Sequence, residues 1–155
     1  MNTILPDLQA ALLCDDVRQE NNGKFILIGL FDAIFAAQWP LRYPRLFVVT
    51  RWCSGTGSFT QRTRLLRPDQ KNLVTEGRPI RFQMNDPETL VTNIEAFFNL
   101  EFLGAGAHWI EILLGDEMKV RFPLRIAAVP SGVPPAPPPH PPPFPPPHPP
   151  PAEST

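Results

Sequence analysis

Residues 117–126 read EMKVRFPLRI, and their alternation decides the fold class. Met118, Val120, Phe122, Leu124 and Ile126 fall on one side of an extended chain, with Lys119, Arg121 and Arg125 on the other. A repeat of two is the strand period, because successive side chains point to opposite faces. Pro123 falls on the polar side and donates no ladder hydrogen bond, so this strand is expected at a sheet edge, or with its end there. Just upstream, HWIEILL (108–114) returns across Gly115 and Asp116, which reads as a hairpin.

The same period extends toward the N-terminus. PIRFQMN (79–85) sets Ile80, Phe82 and Met84 inward, and TLVTNIEAFFNLEFLG (89–104) sets Ile94, Ala96, Phe98, Leu100 and Phe102 against Glu95, Asn99 and Glu101. LFVVTRWCS (46–54), a turn with Gly55 and Gly57, and SFTQRTRLLRP (58–68) read as another hairpin, with Arg62 and Arg64 side by side. LQAALLCDDVRQE (8–20) and KFILIGLFDAIF (24–35) read as two strands joined by a tight turn at Asn22 and Gly23. The second of these is apolar on both faces, so it is expected to be central and well covered. AAQWPLRYP (36–44) reads as a linker crossing between sheets, with Trp39 partly exposed, while Trp52 and Trp109 lie in strands.

About seven to eight strands, short turns and no long helical pattern predict an all-β fold: a single antiparallel β-sandwich, immunoglobulin-like or C2-like in shape. The Cys…Trp…Cys spacing of a true immunoglobulin domain is missing. The sandwich is assigned to residues 1–129 and a proline-rich tail to 130–155, since 15 of the 22 prolines lie from Pro130 onward. A body of this size buries roughly two-thirds of its unfolded surface, enough for one core.

Composition excludes several classes. No stretch approaches the roughly 20 apolar residues of a membrane span. The opening MNTILPDLQAALLCDD lacks a basic start and a cleavage site, so a cytoplasmic protein is expected. Two cysteines, Cys14 and Cys53, suit that compartment and read as small strand hydrophobes, although the sequence leaves a disulfide open. A net charge of −1 gives no bulk attraction for nucleic acid. Residues 42–81 hold nine basic residues and residues 82–117 seven acids with no Lys or Arg, a split expected to pair charges across neighbouring strands.

CDDVRQENNGKFILIG followed by LFDAI resembles the opening of an uncharacterised family of small bacterial proteins, which share Cys-Asp-Asp-Val-Arg, a Gly-Lys turn and a Leu-Ile-Gly strand leading to Phe-Asp. RLLRPDQKNLV and GAGAHWIEILLGDEMKVRFPLRI are similar to its later segments, with Gln70 in place of a turn glycine and His108-Trp109 where a Tyr is expected. The resemblance spans most of Leu5 to Ile126 and implies a β-sandwich of unknown function, with no catalytic residues to carry over.

Candidate chemistry is sparse. Asp15 and Asp16, near Glu20 and Asp32, are the one carboxylate cluster that suggests Ca²⁺, an ion needing six to eight oxygens. Alternation, however, sends neighbours to opposite faces, so the two are expected as solvated strand-end groups or as partners of Arg18. SGTGS lacks the Lys of a phosphate loop and no GxSxG elbow occurs. Arg62, Arg64 and Arg67 interleave with Phe59 as in single-strand binders, but no exposed aromatic row accompanies them. No catalytic residue and no cofactor is assigned.

The tail PPAPPPHPPPFPPPHPPPAEST, by composition, favours a polyproline II helix of three residues per turn. Its interruptions recur every four residues, so His140, Phe144 and His148 wind around the rod. His140 and His148 stand about 25 Å apart at about 3.1 Å per residue, too far to chelate one ion together. Phe144, flanked by the two histidines, is the candidate contact for an aromatic groove of the SH3, WW or EVH1 kind; a plain spacer is the alternative. The expected function is a non-enzymatic protein-interaction or adaptor module with partners reached through this tail, and a small-ligand or Ca²⁺-binding module is the second reading.

Overall fold

Alternation becomes ten strands in a computed structural model that describes residues 2–130. In chain order they are β1 (Asp7–Gln19), β2 (Phe25–Leu30), β3 (Ala33–Ala36), β4 (Leu41–Cys53), β5 (Gly57–Leu66), β6 (Leu73–Glu76), β7 (Ile80–Met84), β8 (Val91–Phe102), β9 (Gly106–Leu114) and β10 (Glu117–Ala128). Two sheets result, a four-stranded one ordered β2-β1-β4-β8 and a six-stranded one ordered β3-β10-β9-β5-β6, with β7 also paired to β5.

The sheets pack face to face. Leu13, Leu46, Val48, Trp52, Phe97, Leu100 and Phe102 of the smaller sheet meet Phe59, Leu65, Phe82, Met84, Ile110, Ile112, Leu124 and Ile126 of the larger. Each such side chain contributes about 1.5–3 kcal/mol on full burial. Trp52 stacks on Phe82 with ring centroids 5.7 Å apart, and Phe82 meets Phe59 at the same separation, so aromatic contact ties the two layers together. The inward sets expected for β7 and for the end of β10 are found, with Phe82, Met84, Leu124 and Ile126 all buried. The Asn22–Gly23 and Gly115–Asp116 hairpins also form, pairing β1 with β2 and β9 with β10.

Four expectations are corrected. KFILIGLFDAIF is two strands in two sheets: β2 pairs only with β1, the chain crosses at Phe31–Asp32, and β3 joins β10 in a parallel pair. That pair also breaks the purely antiparallel expectation. The crossing is held from both sides, since Phe31 N–H donates to Leu13 O (3.2 Å) and Arg125 N–H to Asp32 O (3.0 Å). Gly29 permits the break, adopting φ 69° with the Asp15 carboxyl filling the space a side chain would need. Far from central, β2 ends its sheet.

Second, β4 and β5 do not form a hairpin. They belong to different sheets, and the Ser54–Thr56 arch between them pairs instead with Ile4, Thr56 and Ile4 exchanging 3.0 Å hydrogen bonds. Third, β8 faces the other way over its first half. Asn93 and Glu95 lie opposite inward-facing Thr50 and Val48, whereas Phe98 is 62% exposed. The alternation resets at Asn99, whose φ is 52°, directly across from the stretch of β4 holding Pro44, so Leu100 and Phe102 point inward as expected. Fourth, β10 is an edge only in part: β3 covers Arg125–Ala128, which leaves the Pro123 stretch with β9 as its one neighbour. Trp109 is half-buried outside the core, while Trp39 is 37% exposed where the chain passes from β3 to β4.

Candidate functional site

The β1–β2 hairpin is closed by Glu20 N–H donating to Lys24 O (2.8 Å) and Gly23 N–H donating to Glu20 O (2.9 Å). Asn22 Oδ1 accepts from Lys24 N–H (2.9 Å), which fixes the entry into β2. Along its other side β2 has no partner strand among the described residues. Phe25, Ile26, Ile28 and Leu30 are 39, 43, 45 and 61% exposed, although the sequence FILIGL carries no charge and no proline. Leu27 and Phe25 line a cavity of about 440 Å³ with Val49 and Arg51 of β4 and Thr92 of β8, so the hairpin bends back over the outer face of its own sheet.

Edges of this kind are normally blunted by shortness, charge or irregularity. The remaining edges here follow that pattern: β3 and β6 have four residues each, β7 carries Arg81, and β8 carries Glu101 and the positive-φ Asn99. Among the described strands β2 leaves an uncharged apolar edge without a partner, interrupted near its end by Gly29 (φ 69°). Chemically, such an edge offers backbone hydrogen bonds to a further strand and apolar side chains to grip it.

Asp15 and Asp16 are not brought together. Asp15 Oδ1 accepts from the Tyr43 hydroxyl (3.1 Å), and burial, followed by the Asp15 charge, pushes the Tyr43 phenol up to about 12. Asp16 faces Arg45 (3.7 Å) and Arg18 (2.8 Å) and accepts from Val17 N–H (3.0 Å). Desolvation pushes its carboxyl up, but the Val17 hydrogen bond and the two guanidiniums outweigh that and hold it below the usual range. Among the described residues no group of three or more His, Cys, Asp or Glu side chains gathers as metal ligands would. Cys14 is buried and Cys53 half-buried, both free, and burial with the neighbouring Asp15 charge raises the Cys14 thiol.

Sequence reasoning missed a polar chain through the core. Gln61 Oε1 accepts from Thr50 Oγ1 (2.7 Å), Trp52 Nε1 (2.7 Å) and Asn93 Nδ2 (3.0 Å), and Gln61 Nε2 donates to Thr63 Oγ1 (3.4 Å). All five residues are buried, so hydrogen bonds as well as apolar contact join the sheets. Beyond Thr63 stands Glu95, with its Oε1 buried and unpartnered. A side chain on Gly77 would come within 2.5 Å of its Oε2, so the bare backbone there is what lets the carboxyl lie in place.

Burial pushes Glu95 up to about 7, partly offset by the Thr63 hydroxyl. It lines a cavity of about 510 Å³ with Glu76 and Arg78, a lining without histidine, cysteine or serine. The one signal for this chain was the spacing Thr50-x-Trp52 and Gln61-x-Thr63, polar residues at same-face positions of apolar strands.

The basic stretch is absorbed as the charge pattern suggested. In register across β6, β5, β9 and β10 run Glu76, Arg64, Glu111 and Arg121, with Arg64 Nε 3.3 Å from Glu76 and Arg121 Nε 3.0 Å from Glu111. Arg62 reaches Asp116 at 2.8 Å. His108, the residue noted in the last hairpin, is buried with its ring edge-on to Phe102 at 5.0 Å, and burial pushes its imidazole down. His140, Phe144 and His148 lie outside the described residues.

Two face-packed sheets with one open apolar edge make this an all-β domain without helices among its described residues. Residues 9–127 match the model of a family of unknown function (DUF6941), and the chain belongs to that family. The match stops before the proline-rich segment. No curated protein matches the chain. No helix among the described residues is long and apolar enough to cross a membrane.

Proposed function

We propose that this protein is a non-enzymatic, cytoplasmic protein-interaction module whose contact surface is β2. The observation that carries the reading is the uncharged apolar edge: a strand with no partner on one side among the described residues and four large apolar side chains in water, interrupted only at Gly29. The free cysteines support the compartment. In shape we read the fold with the immunoglobulin-like or C2-like sandwiches, on the face-to-face packing of its two sheets.

A photo-crosslinking residue at position 28 is expected to yield a protein adduct in cells, and the same residue at exposed position 81 on β7 is not. Leu30→Glu should abolish the adduct by charging the edge. The reading fails if position 28 crosslinks no more than position 81.

The proline-rich segment 130–155 enters the proposal as spacer or docking ligand, with Phe144 as the side chain a groove would read. Deleting Pro134–Pro151 is expected to remove at least one copurifying partner; an unchanged set of partners reduces the segment to a spacer.

A further inference from the structure

We propose that the cavity between the β1–β2 hairpin and the outer face of the small sheet binds a small amphipathic anion, a carboxylate with a short acyl chain. Its head would sit on Arg51 and its chain on Phe25, Leu27 and Val49. The site lies against a face of the hairpin and not along the open ladder edge of β2, so it goes beyond the reading of that edge and does not depend on it.

Alternation builds the floor. Thr50 and Trp52 of β4 point into the core, so Val49 and Arg51 point outward, and Thr92 stands across the ladder from Arg51 on the same outer face. An outward valine is expected in water, yet Val49 is 2% exposed. Phe25 and Leu27, at alternate positions of β2 and both ahead of the Gly29 break, line the same cavity. Its volume of about 440 Å³ is within the roughly 300–1,000 Å³ of small-ligand clefts.

The charge at this cavity has one sign. Lys24 and Arg51 line it without any Asp or Glu, and neither enters an ion pair among the described residues. Glu20, the acid nearest Lys24 in sequence, accepts from Asn22 Nδ2 (2.9 Å) and is not part of the lining. Arg51 Nε donates to Thr92 Oγ1 (3.2 Å), which anchors the guanidinium and leaves its terminal nitrogens to grip a carboxylate. Exposed Lys24, just after the hairpin turn, adds a second positive charge. A bare inorganic anion would leave Phe25, Leu27 and Val49 without a contact, so the floor selects an anion that carries its own chain.

Calorimetric titration of the full chain with sodium octanoate tests this. Saturable binding of one octanoate per chain is expected. Octan-1-ol, which keeps the chain and lacks the charge, and acetate, which keeps the head and lacks the chain, should each bind about tenfold more weakly or worse. Octylammonium, of opposite charge, should not bind. Arg51→Gln should weaken octanoate about tenfold, and Arg51→Lys less, because it keeps the charge and loses the fork. Lys24→Gln should cost about threefold. Arg81→Gln, which removes an exposed guanidinium on β7 outside this cavity, should leave the affinity unchanged. Lys24 and Arg51 are both exposed, so the variants are expected to fold, and urea midpoints equal to that of the wild type verify it.

Absence of saturable octanoate binding, or equal affinity for octanoate and octan-1-ol, overturns the site. Octanoate binding that is indifferent to both Arg51→Gln and Lys24→Gln puts the anion elsewhere and overturns it as well.

Discussion

Gln61→Leu is expected to destabilise the protein by about 3 kcal/mol or more, the largest loss for any single side chain of the polar core. One carbonyl oxygen accepts from Thr50, Trp52 and Asn93, and all three donors are buried with it. Leucine fills nearly the same volume, so the cost is not a cavity. It is the stranding of three donors, each worth about 1–3 kcal/mol when left without a partner, with some relief from relaxation and from the Thr50 hydroxyl's longer contact to Asn93 O (3.5 Å).

Against a typical domain stability of about 5–15 kcal/mol this is a large fraction. Thr63→Val, which loses the 3.4 Å contact from Gln61 and the hydroxyl's contact with Glu95, should cost about 1 kcal/mol. Urea unfolding followed by the fluorescence of buried Trp52 measures both. A Gln61→Leu loss no larger than that of Thr63→Val would mean that Gln61 does not organise the network.

The second large effect concerns Glu95 and acts through pH. Its carboxyl ionises near 4.5 in the unfolded chain and near 7 in the fold. Between those values the folded state keeps a proton that the unfolded state has released, so stability falls as pH rises through this window and levels off above about 7. The expected loss from pH 5 to pH 8 is about 2 kcal/mol, below the full value of the shift because the side chain is not wholly enclosed. Glu95→Gln keeps the shape and removes the titration, and should therefore be the more stable protein at pH 8.

His108 works in the opposite sense. Its imidazole is pushed down, so the fold resists protonation and stability rises with pH through the region below its ordinary value. Thermal unfolding of wild type and Glu95→Gln at both pH values isolates the Glu95 contribution, because His108 is common to both. Parallel pH profiles would show that Glu95 ionises freely in the fold.

Much of the architecture was legible because period two is a local property. Met118 to Ile126 and Ile80 to Met84 declare their inward faces without reference to anything distant. What stayed hidden depends on which strand lies beside which. FILIGL looks like a buried central strand because burial and exposure place the same demand on backbone propensity; only pairing order shows that no strand lies on its far side. Gly55 and Gly57 signal a reversal equally well for a hairpin and for an arch between sheets. Asn99 resets the alternation of β8, which conceals the fact that Asn93 and Glu95 point inward. The polar core escaped notice for a related reason: a Gln or Thr among apolar strand residues reads as solvent-facing until two other strands, here β4 and β8, are known to converge on it.

The ladder of Glu76, Arg64, Glu111 and Arg121 has a consequence for how anything reaches this molecule. Each guanidinium in that row already has its carboxylate, so the row itself projects little field into the solvent, and the positive charge the large sheet leaves without an ion pair includes the exposed Arg81 of β7 and Arg125 of β10. A charged group that meets the row finds every charge already answered, and the attraction it feels on this sheet comes from those two guanidiniums instead.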